Sequence, residues 1–133
     1  MAKLDRLVSD IVRRRDGYQC VVCGSREMPQ CGHVIGRMQM GTRFDLRNCY
    51  TQCAGCNIKH NYTPHVYINW FVSKWGWAEW EALCARSKSR RFAKDWTFNE
   101  LTALLEHYEE LYERLCSMSV SDEAMMREMG LYG

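Results

Sequence analysis

The sequence predicts an α+β domain, a zinc-stapled ββα finger flanked by helices. Three observations predict it. Two Cys-x-x-Cys pairs, Cys20–Cys23 and Cys53–Cys56, stand 29 residues apart. Residues 17–62 around them are rich in Cys, Gly and Asn and have few periodic apolar runs, so a metal is the expected staple. On either side, apolar residues recur at the 3.6-residue spacing of amphipathic helices.

The first segment, 1–16, reads as a helix over 3–16. Leu4, Leu7, Val8, Ile11 and Val12 share one face, and Gly17 is a natural stop. In the finger, 17–62, Tyr18 to Val22 suggests a short strand and a hairpin continues through His33 to Ile35. Asn48 to Gln52 fits a connecting turn, and Cys53 to Asn61 starts a helix. The third segment, 63–116, is helical. Pro64 suits a first turn leading through Lys74, Gly76 interrupts, and Trp77 to Ala85 resumes. A basic loop, 86–94, precedes Thr97-Phe-Asn-Glu100, a capping-box start. Leu101, Leu104, Leu105, Tyr108, Leu111, Tyr112 and Leu115 mark the apolar face of a long last helix. The remaining residues, 117–133, are Met-rich and weakly patterned, a short helix or a frayed tail.

Four thiolates in two short pairs can close a tetrahedron around zinc, leaving no position for water, so this Zn2+ is structural. A redox reading of one pair needs a βαβ context that is absent. The other four cysteines show no ligand spacing, and two of them, Cys84 and Cys116, fall at apolar helical positions, as core or inert thiols.

Between and beside the pairs lie His33, Asn48 and Asn57, in the order Cys-x-x-Cys, His, Asn, Cys-x-x-Cys-Asn. A hairpin followed by a helix, pinned by zinc, can bring His33 to face Asn57. That pairing suits phosphodiester hydrolysis. A neutral imidazole takes a proton from attacking water, and Mg2+ or Mn2+ stabilises the leaving oxygen. Asn57 offers that ion a neutral oxygen ligand, while Asn48 more plausibly bonds backbone groups and orients the hairpin. Each residue also has an ordinary use: histidines are commonly structural, and asparagines commonly serve turns and caps.

The run Cys20-Val-Val-Cys-Gly24, then Cys31-Gly-His33, then Arg43 to Asn57 (RFDLRNCYTQCAGCN) resembles the HNH (His-Me finger) nucleases. More narrowly, the chain is similar to the phage NinG/Rap recombination proteins, which are branched-DNA and Holliday-junction endonucleases. The likeness extends through Tyr67–Leu83 and the opening of the last helix at Trp96, covering roughly residues 10–115. It implies His33 as general base, Asn48 as the central Asn, Asn57 as metal ligand, and structural zinc on Cys20, Cys23, Cys53 and Cys56. Many HNH nucleases carry a metal-binding Asp just before the histidine. Here that position is Gly32, so either another group, Asp45 or His60, completes the metal shell or water and phosphate oxygens fill it.

Charge is unevenly spread. Residues 1–60 hold ten basic and five acidic side chains, 61–94 six and two, and 95–133 two and nine. A basic body suits a polyanion, although charge alone also fits simple solvation. Arg13, Arg14, Arg15, Arg37, Arg43, Arg47 and Lys59, with Arg86, Lys88, Arg90, Arg91 and Lys94, are the expected phosphate contacts to branched or duplex DNA. Cutting a four-way junction takes two nicks, so a homodimer is an option. The stripe of the last helix could form its interface or pack on the body. No apolar run is long enough to span a membrane, and residues 1–16 lack a signal-peptide centre. The expected location is the cytoplasm, that of the host cell if phage-encoded, where disulfides are disfavoured. Two competing readings are an HNH enzyme cutting linear duplex and a non-enzymatic zinc module that binds nucleic acid.

Overall fold

A two-stranded hairpin lies at the centre, with helices against both faces. The computed structural model describes residues 1–118 and 122–133. Along the chain come α1 (Ala2–Arg15), β1 (Pro29–His33), β2 (Cys49–Cys53), α2 (Ala54–Lys59), α3 (Pro64–Trp75), α4 (Trp77–Ser87), a 3-10 turn (Ala93–Asp95), α5 (Phe98–Ser117) and α6 (Glu123–Glu128).

The strands pair antiparallel, with Pro29 opposite Cys53 and His33 opposite Cys49. Alternation puts Cys31, His33, Cys49 and Thr51 on one face and Gly32, Tyr50 and Gln52 on the other. The first face meets α1. Its Cys49 belongs to a core with Leu4, Val8, Ile11, Val12, Phe44, Tyr108, Leu111 and Leu115. The second face meets α3 and α4 through Tyr50, Val34, Tyr67, Phe71 and Leu83. Covered on both sides, all five residues of β2 are buried.

Two elements differ from expectation. Residues 48–52 form no turn. Residues 49–53 are instead the second strand, and the connection lies in 34–48, where Asn48 closes it. Nor is there a strand at 18–22. That stretch coils into the first cysteine knuckle, closed by Gly24 N–H donating to the Cys20 carbonyl (2.9 Å) with Gly24 at φ 80°. Thiolates converging on one ion need such a tight turn, and an extended strand would hold them apart.

The helices follow their signals. Gly76, at φ 96°, separates α3 from α4. Thr97 and Glu100 cap α5 reciprocally, Thr97 Oγ1 accepting from Glu100 N–H (3.1 Å) and Glu100 accepting from Thr97 N–H (3.1 Å). The stripe of α5 is buried against α1, with Tyr108, Leu111 and Leu115 inside the first core. Of the two uses expected for that stripe, packing on the body is the one seen, with Leu101, Leu104, Leu105 and Tyr112 partly buried beside it. In the C-terminal segment α6 forms on an Asp122 cap and docks. Met126 and Leu131 enter the first core, and Arg127 lies over Trp75 at 4.6 Å. Residues 119–121 of that predicted tail lie outside the described residues. Cys116 is exposed and Cys84 half-buried, so of the two expectations, core or inert thiols, the core one does not hold.

Candidate metal centre and catalytic groove

The four cysteine sulfurs of the two pairs lie within 4.8 Å of one another. Cys23 Sγ and Cys53 Sγ are 3.6 Å apart. In each knuckle the first sulfur accepts a backbone N–H from the second cysteine, Cys23 onto Cys20 (3.5 Å) and Cys56 onto Cys53 (3.4 Å). Such bonds stabilise thiolate. Burial by itself would raise the Cys20 thiol, yet the N–H groups of Cys23, Cys53 and Val22 bring it down to about 7. Cys56 moves up, through burial and through the three neighbouring sulfurs. Four sulfurs in one place, one already inclined to ionise, fit a tetrahedral zinc. No ordinary core use accounts for the cluster.

Beside the cluster, a groove of roughly 620 Å³ runs between α1, β1 and α2, reaching Asn57, the residue after Cys56. His33, Asn57, His60, Asp5, Arg13 and Arg37 all line it. The His33 Nε2–H donates to the Arg43 carbonyl (3.0 Å), which leaves Nδ1 without a partner among the described residues. Burial is the largest influence on the ring and lowers its pKa below 6.5; the Arg43 carbonyl and Asp5 oppose that shift. The imidazole is thus oriented and neutral at pH 7. Asn57 donates its amide N–H to Gln30 Oε1 (2.9 Å), which turns its carbonyl oxygen free.

Asn48 is fully buried and acts on backbone. Its oxygen accepts from Ile35 N–H (2.8 Å), and its amide donates to the carbonyls of Ile35 (2.9 Å) and Thr42 (3.2 Å). These bonds fix the loop leaving the His33 strand. Gly32 faces away from the groove, and a Cβ there would collide with the Gln52 side chain. A side chain at 32 would have to displace the buried Gln52 side chain and would leave the face opposite the groove.

Of the two suggested substitutes, Asp45 is not available. Its carboxylate accepts from Arg47 (3.2 Å) and Arg86 (2.8 Å), and it does not line the groove. His60 does. Its Nε2 bonds the Val34 carbonyl (2.9 Å), and its Nδ1 is buried with no partner. Asp5 is a groove carboxylate that sequence reasoning missed, held by Arg43 at 2.6 and 3.0 Å. It lies on α1, 28 positions before His33, and no local spacing marks it.

The basic residues divide. Arg14, Arg37, Lys59, Lys88, Arg91 and Lys94 are exposed, and Arg13 borders the groove while bridging Asp10 (2.8 Å). Arg43, Arg47, Arg86 and Arg90 are paired with Asp5, Asp45, Asp45 and Glu100. Arg15 is a correction. Expected as a phosphate contact, it is 4% exposed and gives its donors to Asp16 and to the carbonyls of Leu46, Leu131 and Cys49. Buried so completely, it cannot reach a phosphate.

Fold and site together define an α+β protein built around a hairpin, with a cysteine cluster fit to hold zinc. The family described as the bacteriophage lambda NinG protein matches residues 1–117, and the chain belongs to that phage family. No curated protein matches the sequence. No solved structure matches it either. Among the described residues no helix is long and apolar enough to cross a membrane.

Proposed function

We propose that this protein is a metal-dependent DNA endonuclease of the HNH type, hydrolysing phosphodiester bonds in branched DNA such as Holliday junctions during phage recombination. One observation carries the reading: an oriented, neutral His33 and an Asn57 with an uncommitted oxygen line the same groove.

His33 Nδ1 takes a proton from the attacking water. The new bond forms between that water oxygen and phosphorus, and the ester bond to the leaving nucleoside oxygen breaks. The Arg43 carbonyl keeps the other ring nitrogen protonated, so the tautomer is set before substrate arrives. Asn48 holds the following loop in register. Asn57 Oδ1, the orphaned His60 Nδ1, waters and phosphate oxygens are the donors fitted to a divalent ion, Mg2+ or Mn2+. Such an ion, when bound, neutralises charge on the leaving oxygen. Arg13, Arg37 and Lys59 flank the groove with positive charge for the phosphate backbone. Arg14, Lys88, Arg91 and Lys94 are further exposed cations offered to the phosphate backbone, and such contacts carry no base sequence information. The reading places the protein in the host cytoplasm, with a homodimer formed, if at all, away from the α5 stripe.

The test uses labelled four-way junction, flap and linear duplex with Mg2+ or Mn2+, and the variant His33→Ala. Cutting confined to branched DNA, and reduced roughly 10²–10⁴-fold in the variant, is expected. Equal cutting of linear duplex would mean an HNH nuclease without junction preference. Binding without cutting in every metal would mean a zinc module that only holds nucleic acid.

A further inference from the structure

Two of the cysteines outside the four-cysteine cluster meet a histidine: Cys49, in the first core, and Cys31, half-buried at its edge. Cys31 and His33 are two apart on β1, and Cys49 sits directly across from His33 on β2, so all three side chains leave the same face of the hairpin. Cys31 Sγ, a ring nitrogen of His33 and Cys49 Sγ lie within 4.8 Å of one another. We propose that Cys31, His33 and Cys49 form a second zinc site, and that zinc bound there switches off the groove by taking His33.

The ligand set and its surroundings favour this occupant. Two thiolates and an imidazole are a known three-ligand combination for zinc, and ideal tetrahedral geometry sets its sulfurs roughly 3.8 Å apart, within small rotamer adjustments of this arrangement. Cys49 is fully buried, whereas Cys31 and His33 are half-buried and line the groove. The fourth position therefore opens to solvent, which provides both an entry path and a water ligand. A zinc ion with two thiolates is neutral overall, so seating it beside the first apolar core carries little of the penalty of a bare buried charge. The two thiols release their protons as the metal enters. Thiolates discriminate against Mg2+, so the hydrolytic ion does not occupy this position.

Occupancy and base catalysis exclude each other whichever nitrogen binds. If Nδ1 is the ligand, its lone pair is no longer available to water. If Nε2 is the ligand, the ring loses its bond to the Arg43 carbonyl and with it the fixed orientation. The switching half of the proposal rests on the reading of His33 as general base, and the metal-binding half does not.

The experiment titrates full-length, fully reduced protein with Zn2+, and in parallel with Co2+ as a spectroscopic probe, and measures bound metal per chain. Two zinc ions are expected, the second held more weakly, with Co2+ at the second site giving sulfur-to-cobalt charge-transfer absorption. Cys31→Ala is expected to bind one ion, and Cys49→Ala likewise. Cys31 is the decisive position because its half-exposed side chain can be removed without opening the core. A single zinc in the wild type, or two in Cys31→Ala, overturns the site. In junction cleavage with Mg2+, filling the second site should lower the wild-type rate roughly 10²–10⁴-fold and leave the Cys31→Ala rate unchanged. Undiminished cleavage with two zinc ions bound overturns the switch. Two ions in the wild type and one in Cys31→Ala support the metal site even if no DNA is cut, an outcome that would overturn the nuclease reading alone.

Discussion

The hairpin region and the helical region of this protein are held together by different physics. Helices α1 and α5 meet through aliphatic and aromatic side chains, the ordinary cohesion of a hydrophobic core. Between them and α3–α4, two strands of five residues each could not survive alone. They are tied down by chemistry at specific points. Four cysteines gather at one end, Asn48 bonds the loop at the other, and Arg15 runs beneath β2. Arg15 carries five hydrogen bonds, and its guanidinium lies between the rings of Tyr50 (4.9 Å) and Tyr132 (4.6 Å). Spread-out packing tolerates small errors. Point restraints do not, and they place side chains accurately, which the proposed hydrolysis needs.

The comparison breaks most visibly by removing zinc. Structural zinc contributes on the order of 10–16 kcal/mol in small zinc domains. Chelation by a high-affinity agent should melt residues 17–62 while much of the α1–α5 contact persists. Circular dichroism should then show helix retained, and hydrogen exchange should show protection lost first at β1 and β2. Uniform loss of protection across both regions would mean that they are a single cooperative unit.

Arg15→Leu is the next largest. It removes one partner of a buried pair, leaving three carbonyls without this donor and Asp16 with only the Thr51 N–H (2.8 Å), and should destabilise the fold by about 3–5 kcal/mol. Denaturant unfolding would measure it. A loss below about 1 kcal/mol would show that water or neighbouring donors replace the guanidinium.

How much of this could be read in advance differs between the regions for the same reason. Helices announce themselves within a few turns, so α1, α3, α4 and α5 were legible from periodicity, from Pro64, from Gly76 and from the Thr97–Glu100 box. The cysteine spacing likewise made the cluster visible. The strand at 49–53 was not, because all five of its residues are buried and such a strand shows no polar-apolar alternation. Arg15 was read as one of three adjacent arginines, since a local charge run says nothing about which member turns inward. Asp5 at the groove, and the meeting of Cys31 with Cys49, depend on tertiary approach and hairpin register. The single local trace was the i, i+2 placement of Cys31 and His33, legible only once that stretch is known to be a strand.

The groove offers a sharper comparison through pH. Burial holds the His33 pKa below 6.5, against the raising influence of the Arg43 carbonyl and Asp5. The proposed mechanism requires His33 as a neutral base, so cleavage should persist into mildly acidic solution and fall only as pH drops through that lowered pKa. Asp5→Asn removes the opposing carboxylate and unpairs Arg43, and both changes disfavour the imidazolium. The acid limb of the rate profile should therefore move to still lower pH. Movement upwards would mean that the carboxylate does not sense the ring, and the electrostatic account of the groove would fail.

The smallest effect belongs to the helical region and serves as its control. Thr97→Ala removes the side-chain acceptor for Glu100 N–H at the start of α5 and should cost about 1 kcal/mol. Because α5 reaches the hairpin only through the first core, this loss should appear in global stability and leave zinc affinity and the His33 pH profile where they were. Arg15→Leu, by contrast, acts directly under β2 and should weaken zinc retention as well as stability. If Thr97→Ala also loosened zinc, the two regions would share more than a packed boundary, and the accuracy of the groove would depend on the whole core as much as on its own restraints.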